Sequence, residues 1–473
     1  MNYSTELHLA LEALEAFAAA AADRRGPVIR QRPMVELART LELDRLIAEG
    51  GLRGDGLQRF LKDYLAAATR LHHPGYMAHQ VAVPHPMGAL GSLIDGYLNN
   101  PMAIYEMGPS AATVEFAVLN WMLRKVGWRP APMPGSSEAV GDHGGGVLTH
   151  GGSLANLTAL MAALGRVAPN AWEEGVPRDL VVVAPEACHY SIARAVSILG
   201  LGRKALKAAP TDADGRLAPA QLGSYLRSLR QQGARILAVV ANACSTAVGL
   251  YDPLQEIGGL CRDMGVWLHV DGAHGASALV SPRYRHLLDG VELADSLVWD
   301  AHKMLRTPTL CAAVLVRDHR DLDAAFHEEA SYLFHDKDQP GIDLAHRTVE
   351  CTKAALGLRL FLVLAAMGER GLADYVDRQT DLAAAVARRL RAAPGIEVAV
   401  EPQSNIICFR LDGADELQLA VRKRLLEDGR YYLSATEFRG RRWLRLALMN
   451  PVTDSTDIEG LLTEIRRHQT ALG

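Results

Sequence analysis

The chain has 473 residues, which is too long for a single hydrophobic core and predicts one large domain with one or two smaller ones. Hydrophobic residues make up 49% and charged residues 22% of the sequence, a balance typical of soluble globular proteins. Because 50 Lys and Arg stand against 54 Asp and Glu, the formal net charge is only -4, and like charges form no block. These charges argue against a nucleic-acid partner.

The cysteines and the N-terminus indicate the compartment. Cysteines form no CxxC pair and show no metal-type spacing, so we predict no metal site and reduced thiols in a cytoplasmic protein. The six are Cys188, Cys244, Cys261, Cys311, Cys351 and Cys408. Near the N-terminus, Glu6, Glu12 and Glu15 interrupt an apolar stretch without a basic start, which favours an amphipathic or packing helix over a signal peptide. No apolar run approaches the roughly 18 to 20 residues that cross a bilayer, so we predict no membrane segment.

The pattern of the sequence changes twice along the chain. Residues 1–115 are mainly helical, around a Pro- and Gly-punctuated loop, HHPGYMAHQVAVPHPMG. A pattern rich in β-strands follows within 116–374, and from about 375 the runs IEVAVEP, NIICFRL and RWLRLALMN stand among helices. We therefore predict an N-terminal helical segment with a pocket-forming loop (1–115), a large domain (116–374) and a small C-terminal α+β domain (375–473).

Apolar runs rich in β-formers recur in the middle of the chain, with helical patterns between several of them. They are DLVVVAPE (179–186), ARILAVVANA (234–243), VWLHVDGAH (266–274), DSLVWDAHK (295–303) and CAAVLVRD (311–318). This alternation predicts an α/β fold with a largely parallel sheet covered on both faces. In such sheets ligands bind outside the carboxyl ends of the strands. Polar residues at these ends are therefore candidate ligand contacts: His189, Ser245, Thr246, Asp271, His274, His302 and Lys303.

The stretch LTHGGSLANLTAL (148–160) predicts a phosphate site. A Gly-Gly-Ser turn runs into a helix, whose first backbone N–H groups and positive dipole end suit an anion. The amides of Gly152, Ser153 and Leu154 are the candidate donors. A plain glycine turn with Ser153 as the helix N-cap is the structural alternative.

A carboxylate and a lysine follow at two later strand ends. Asp271, in HVDGAHGA, needs a partner, which could be a protonated pyridine nitrogen, an arginine or a helix N-terminus. Lys303, in SLVWDAHKML, either reaches water or is consumed chemically. A phosphate cradle, a carboxylate for a pyridinium and a lysine for an imine are together the protein side of pyridoxal 5'-phosphate (PLP) chemistry, in which Lys303 forms a Schiff base.

Four segments, THGGSLANLTAL, ACHYSIARAVSILG, HVDGAHGA and DAHKML, resemble the group II PLP-dependent amino-acid decarboxylases. That family includes the glutamate, cysteine sulfinate, aromatic-amino-acid and diaminobutyrate decarboxylases. The similarity runs in order from HHPGYM near residue 72 to LRLALMNPVT near the end. It implies a type I aminotransferase-like fold with a mostly parallel seven-stranded sheet, and a homodimer with active sites at the subunit interface.

The resemblance also implies roles at the cofactor ring. Lys303 would form the Schiff base and Asp271 would pair with the pyridinium nitrogen. His189 would stack on one face of the ring and Ala273 would press on the other. These residues would serve a reaction that passes through a quinonoid intermediate.

Phosphate and substrate contacts follow from the same resemblance. Ser153 and His302 would hold the phosphate, and Thr246 would lie near the ring. The candidate substrate contacts are Tyr76, His79, Gln80 and Arg445. Arg445 matches a family arginine that can grip a substrate carboxylate, although an exposed strand arginine is the alternative. YEMGPSAATVE (105–115) and ASYLFHDKD (330–338) resemble the glutamate and cysteine-sulfinate branch more than the aromatic branch.

The chain departs from the family at a catalytic loop. Relatives carry a tyrosine there that protonates the substrate Cα, whereas here no tyrosine follows Tyr332 until Tyr375. His346 or Asp343 could replace this acid, as could His274, which stands where many relatives have an aromatic residue. Ordinary solvated loop residues are the alternative for His346 and Asp343.

The leading prediction is thus a cytoplasmic, dimeric PLP enzyme that removes the α-carboxylate of an L-amino acid. Because the loop tyrosine is missing, oxidative deamination to an aldehyde and β-elimination of a carbon–sulfur bond stay open, and a secondary-metabolite pathway would suit either outcome. A non-catalytic scaffold is the competing class, against which the intact Lys303, Asp271 and His189 argue.

Overall fold

The computed structural model describes residues 4–326 and 339–472. Contacts divide the chain into two compact units, Met1–Val83 with Asp381–Gly473, and Pro84–Thr380. The division at residues 115 and 374 stays a prediction. All six cysteines are free thiols, and none of the described helices is both long and apolar enough to cross a bilayer.

Helices and strands alternate through most of the chain. The helices are α1 (Ser4–Ala22), α2 (Met34–Thr40), α3 (Leu43–Glu49), α4 (Gly54–Ala67), α5 (Pro86–Leu98), α6 (Pro109–Val126), α7 (Gly152–Val167), α8 (Ala171–Glu174), α9 (Tyr190–Ile198), α10 (Pro219–Gln231), α11 (Leu254–Met264), α12 (Arg320–Phe326), α13 (Leu356–Arg391), α14 (Asp415–Asp428) and α15 (Ser455–Leu472). The strands are β1 (Gly145–Thr149), β2 (Leu180–Ala184), β3 (Leu206–Ala208), β4 (Arg235–Asn242), β5 (Leu268–Asp271), β6 (Ser296–Asp300), β7 (Ala312–Val316), β8 (Ile396–Val398), β9 (Ile406–Leu411), β10 (Ser434–Phe438) and β11 (Arg441–Ala447). Gly368 interrupts α13 with a φ of 64°.

The unit Pro84–Thr380 is built on a seven-stranded sheet in the order β1-β7-β6-β5-β4-β2-β3. The neighbours from β3 to β6 pair in parallel, and β7 pairs antiparallel with both β6 and β1. The central strands are buried along almost their whole length, as expected for a sheet covered on both faces. The α/β fold with a mostly parallel seven-stranded sheet is confirmed.

This topology fixes where the functional side chains lie. Parallel β4, β5 and β6 are in register, with Asn242 opposite Asp271 and Asp271 opposite Val298. Their carboxyl ends therefore share one edge of the sheet. Helix α7 packs against these strands and against α9, so its N-terminus also reaches that edge.

The unit Met1–Val83 with Asp381–Gly473 contains a four-stranded antiparallel sheet in the order β10-β11-β9-β8. The predicted loop joins this sheet: the Met77 amide donates to the Tyr432 carbonyl at 2.8 Å, and the Ala447 amide donates to the Met77 carbonyl at 2.8 Å. A Cβ at Gly75 would come within 2.6 Å of the Arg430 carbonyl oxygen, so only glycine fits this crossing. The small C-terminal α+β region thus includes a piece of the N-terminal segment.

Candidate active site

A cavity of about 300 Å³ lies at the carboxyl edge of the seven-stranded sheet. Among the predicted site residues, those that line it are Gly152, Ser153, His189, Thr246, Asp271, Ala273, His274, His302 and Lys303. Residues that the sequence interpretation did not assign also line it: His150, Gly151, Asn156, Cys244, Asp300 and Leu310. The topology therefore brings together residues that are as many as 160 positions apart in the chain, from His150 to Leu310.

Asp271 ends β5 and holds a carboxylate at one end of the cavity. The residue is only 7% exposed. Its Oδ2 accepts a hydrogen bond from Asn156 Nδ2 at 3.0 Å, and its Oδ1 accepts the Ala273 amide at 3.2 Å. These donors are neutral and fixed, so they orient the carboxylate without cancelling its charge.

A chain of buried hydrogen bonds extends from Asn156. Because an ionised carboxylate only accepts, the Nδ2 side of Asn156 must face Asp271, and its Oδ1 then accepts from His269 Nε2 at 2.9 Å. His269 Nδ1 in turn accepts from the Ser296 hydroxyl at 2.8 Å. Complete burial lowers the pKa of His269 to about 4, against a smaller opposing effect of Asp271. His269 is thus a neutral imidazole with one defined tautomer.

The same amide determines the proton position on His189, the N-cap of α9. Asn156 Nδ2 also donates to Ser191 Oγ at 2.8 Å, which leaves the Ser191 hydroxyl proton for His189 Nδ1 at 2.7 Å. Burial is the largest cause that lowers the pKa of His189, followed in that direction by Lys303 and Arg194, while Asp271 opposes it. His189 is therefore a neutral ring with its proton on Nε2, which suits stacking on an aromatic ring.

Lys303 lies in the turn after β6, and its ammonium is paired. Its Nζ is 3.0 Å from Asp300 Oδ2, and its side chain is 20% exposed. His302 Nε2 lies 3.6 Å from the same oxygen, and His302 Nδ1 is 2.8 Å from the Cys311 carbonyl oxygen. A lysine after an apolar strand is thus accounted for by a buried carboxylate three residues earlier.

The predicted phosphate turn precedes α7. Gly151 has a φ of 104°, a conformation that favours glycine. The Leu154 amide donates to the Gly151 carbonyl at 3.1 Å, which differs from its predicted use as an anion donor. The Gly152 and Ser153 amides come before this bond, at the positive end of the helix dipole. They remain the donors that suit an anion.

Sequence comparison identifies the family. The sequence profile of the pyridoxal-dependent decarboxylase conserved domain matches residues 61–412. The chain belongs to the pyridoxal-dependent decarboxylase family. It is therefore a PLP-dependent enzyme of the amino-acid decarboxylase class, a lyase.

Individual relatives match nearly the whole length of the chain. It is 29% identical over 467 residues to the acidic amino acid decarboxylase GADL1 of Mus musculus, covering 94% of this chain and 82% of that protein. It is 29% identical over 453 residues to the cysteine sulfinic acid decarboxylase of Rattus norvegicus, covering 91% of this chain and 89% of that protein. The crystal structure of mouse CSAD superposes with a TM-score of 0.88 at 25% identity, covering 99% of both chains.

The residues of the decarboxylase cavity fit PLP. Asp271 offers a buried, oriented carboxylate for the pyridinium nitrogen, and Lys303 offers an amine for the aldehyde. A Cβ at Gly152 would lie 2.8 Å from Asp300 Oδ1, so backbone alone lines that part of the cradle. The ring partners and the attachment point are therefore in one cavity.

The candidate proton donors of the decarboxylase lie in different places. His274 is 3% exposed and lines the cavity. His346 is in a single 3-10 turn, Leu344–Arg347, and does not line it. Asp343 Oδ1 accepts the Tyr105 amide at 2.9 Å, a structural contact. Tyr332 lies outside the described residues, and Tyr375 is buried in α13 with Arg306 5.2 Å from its ring centroid. His274 is thus the candidate that the fold places beside the cofactor residues.

Two of the unassigned cavity residues stand out. Asp300 is within the DAHK motif, and its position three residues before Lys303 is a readable signal. Asn156 is a polar residue of α7 and is only 1% exposed. A buried amide of that kind needs several partners, so its position indicates a network although the sequence does not show which groups it joins.

The predicted substrate residues meet in the other unit. Arg445, on β11, is 6% exposed, and its Nη1 donates to the Ala78 carbonyl at 3.2 Å. His79 Nε2 lies 3.1 Å from Tyr432 Oη, and the Tyr76 and Tyr432 rings are in edge contact at 5.7 Å. Partial burial is the largest cause that lowers the pKa of His79, followed by the positive charges of Arg445 and Arg422. Gln80 follows His79 and is partly buried.

Proposed function

We propose that this enzyme catalyses the α-decarboxylation of an L-amino acid, with an acidic amino acid as its preferred substrate. The observation that carries the proposal is the convergence of Lys303, Asp271 and His189 on one cavity. This set provides covalent attachment, a charge partner for the pyridinium and a stacking ring for PLP. A protein that kept the fold only as a scaffold would have no need of it.

When bound, PLP supplies an electron sink for the electron pair that remains when the bond from Cα to the carboxylate breaks. The side chains of the chain prepare the site for that chemistry. Asp271 would accept a hydrogen bond from the N–H of the protonated pyridine ring, and the Asn156 amide orients the Asp271 carboxylate. The neutral His189 ring would stack on one face of the PLP ring, and Ala273 would press on the other.

Substrate selection is assigned to the cluster around Arg445. Burial is the main cause that lowers the pKa of His79, and the positive charges of Arg445 and Arg422 act in the same direction, so two guanidinium groups lie near this side chain. Such a cluster favours anionic ligands. The names of two relatives, an acidic amino acid decarboxylase and a cysteine sulfinic acid decarboxylase, support the same substrate class. We assign Arg445 to a substrate carboxylate, with Tyr76, His79 and Gln80 beside it.

The proton that replaces the lost CO2 is assigned to His274. Its imidazole is buried and lines the cavity, whereas His346 does not. The missing loop tyrosine favours a second candidate function with an altered outcome, which is either decarboxylation-dependent oxidative deamination to an aldehyde or β-elimination of a carbon–sulfur bond on the same frame. The aldehyde outcome takes over if CO2 is lost but the proton does not reach Cα.

We further propose that the enzyme is a homodimer in the cytoplasm. Large apolar side chains on α5 are solvent-exposed in the single chain: Leu90, Leu93 and Tyr97 are 41%, 51% and 80% exposed. A helix face of this kind is typical of an interface. Sedimentation of the purified protein at several concentrations measures the association, and a monomer at all of them contradicts it.

A screen of L-amino acids with purified, PLP-loaded enzyme tests the function. Acidic substrates, including glutamate, aspartate and cysteine sulfinate, are compared with aromatic and basic ones, while CO2, O2, ammonia and the organic product are measured. An amine with an equal amount of CO2 and no O2 uptake supports the proposal. An aldehyde with O2 uptake and ammonia, or a thiol without CO2, establishes the second candidate instead.

A further inference from the structure

The carboxylate of Asp300 is an unusual group for the phosphate end of the cavity. Its side chain is 3% exposed, and Oδ2 lies 3.0 Å from Lys303 Nζ and 3.6 Å from His302 Nε2. Oδ1 is buried, and no hydrogen bond to it is found among the described residues. A buried carboxylate oxygen without a donor costs free energy, about 1–3 kcal/mol for an unsatisfied polar group and more for a charged one. Only one of the two Asp300 carboxylate oxygens therefore has polar partners among the described residues.

This carboxylate lies where the phosphate is predicted to bind. A Cβ at Gly152 would be 2.8 and 2.9 Å from the two Asp300 oxygens, so Asp300 packs against the first turn of α7. The Gly152 and Ser153 amides at that turn are the predicted phosphate donors. One positive helix end would then face both a carboxylate and a phosphate dianion.

The other groups around the cavity do not resolve this conflict. Besides Asp300, the titratable side chains that line it are Lys303 and His302 after β6, His189 before α9, Asp271 at the end of β5, Cys244 after β4, His274 and, before α7, His150. His150 Nδ1 is already paired with Glu350 Oε1, and His189 is held neutral by burial. Lys303 is therefore the one lysine of this set, and it must serve the cofactor as well as Asp300. A dianion beside an ionised, buried Asp300 is electrostatically unfavourable.

We propose that Asp300 is a phosphate-linked proton acceptor: it is ionised and paired with Lys303 in the empty site, and it takes up one proton when the PLP phosphate binds. The carboxylate and one solvent proton become a carboxylic acid, whose new O–H donates to a phosphate oxygen. The repulsion between Asp300 and the phosphate is removed because the carboxylic acid carries no charge. The carboxyl group also gains a hydrogen bond, because its new O–H donates to the phosphate. The proposal rests on PLP as the cofactor and is independent of the substrate and of the reaction outcome.

A proton taken up with the phosphate makes PLP affinity depend on pH. By linkage, if one proton is taken up on binding, the affinity for PLP falls by up to about tenfold for each unit by which the pH rises. This slope applies at pH values where Asp300 is ionised in the apoenzyme. Above about pH 7 the phosphate of PLP is already a dianion, since its second pKa is about 6. Pyridoxal, which has the same aldehyde and ring but no phosphate, should lack this part of the pH dependence.

Calorimetry of the apoenzyme measures the proton directly. PLP and pyridoxal are titrated into wild type, Asp300→Asn and the control Asp318→Asn, in two buffers without primary amines that differ in heat of ionisation. We expect about one more proton taken up with PLP than with pyridoxal in wild type and Asp318→Asn, and no difference in Asp300→Asn. The amide of Asp300→Asn donates at every pH, so PLP affinity near pH 8 should rise about tenfold while pyridoxal affinity stays unchanged.

Three results overturn the proposal. The first is equal proton uptake with PLP and with pyridoxal in wild type. Because this comparison uses only the wild-type protein, it remains valid if a variant does not fold. The second is unchanged proton uptake in a folded Asp300→Asn. Failure of wild type to bind either compound overturns the cofactor assignment together with the proposal, whereas binding without extra proton uptake overturns the proposal alone.

Discussion

The two carboxylates at the ends of neighbouring strands β5 and β6 are held in opposite ways. Asp271 accepts hydrogen bonds from a side-chain amide and a backbone amide, both neutral. Asp300 lies beside the ammonium of Lys303 and the imidazole of His302, and one of its oxygens has no donor among the described residues. The neutral amides orient the Asp271 carboxylate without cancelling its charge. The partner of Asp300 is different, because Lys303 is also the predicted attachment point of PLP, so the surroundings of Asp300 change when PLP binds. At the ring end of the cavity, around Asp271, the hydrogen bonds are thus already formed without the cofactor. At the phosphate end, around Asp300, we propose that binding of the cofactor phosphate supplies the missing hydrogen bond.

The largest effect is expected when the Asp271 carboxylate loses its charge. Asp271→Asn removes the anion that stabilises the positive pyridine nitrogen, and we expect kcat to fall roughly 100- to 1,000-fold, as for loss of one electrostatic contact to a reacting group. Steady-state kinetics at saturating PLP measure it. Asp318→Asn, a surface carboxylate paired with Arg320, is the matched control and should retain kcat. A kcat of Asp271→Asn within about threefold of wild type contradicts the assignment.

The hydrogen-bond network next to Asp271 should affect how the free energy of unfolding changes at acidic pH, because it contains the buried His269. Buried His269 has a pKa of about 4, whereas in the unfolded chain it titrates near 6.5. Below about pH 6.5 His269 binds a proton in the unfolded state but stays neutral in the folded state. Its contribution to the free energy of unfolding is therefore fully present above that pH and is lost as the pH falls toward about 4. The loss should be on the order of 3 kcal/mol. Urea unfolding of the apoprotein across this window measures it, with His269→Gln as the variant that should lose this part of the slope. Equal slopes for the two proteins would rule out His269 as the cause.

The ion pair at the phosphate end should appear as an energetic coupling. Lys303→Met leaves Asp300 without its ammonium partner, and we expect the apoprotein to lose about 1–3 kcal/mol of unfolding free energy. Adding Asp300→Asn removes the stranded charge and should restore most of that loss. A double-mutant cycle measured by urea unfolding gives the coupling. Strictly additive effects would show that the two side chains are not paired in solution.

The smallest effect is expected for the hydrogen bond from the Ser191 hydroxyl to His189 Nδ1, which lies at the end of the network that starts at Asp271. Ser191→Ala removes the hydroxyl donor to His189 Nδ1 but keeps the Ser191 amide, which lies 3.3 Å from the same nitrogen. One hydrogen bond of about 0.5–1.5 kcal/mol corresponds to a two- to tenfold loss of PLP affinity. Fluorescence titration with PLP measures it, and Ser197→Ala, on the same helix with its hydroxyl bound to the Ala193 carbonyl, is the control. No loss in Ser191→Ala would show that its amide alone holds the ring.

Some strands could not be predicted from local pattern. The five apolar runs between 179 and 318 became β2, β4, β5, β6 and β7 because buried parallel strands are continuously apolar. In contrast, β3 is only three residues long, and β10 reads SATEF, with polar residues along much of its length. Such strands form because a neighbouring strand offers unpaired backbone groups, which the local sequence does not encode.

The sequence by itself was enough to predict the candidate cofactor residues, since Asp271 and Lys303 lie at the ends of recognisable apolar strands and Gly152 lies in a Gly-Gly-Ser turn before a helix. Tertiary structure alone decided how they are connected. Asn156 joins Asp271, Ser191 and His269 across 115 positions of sequence or fewer, and the Asp300 carboxylate meets the first turn of α7. Hydrogen bonds and charge pairs depend on distances of about 3 Å. Only the packing of the sheet against α7 sets those distances, and with them the protonation of the site.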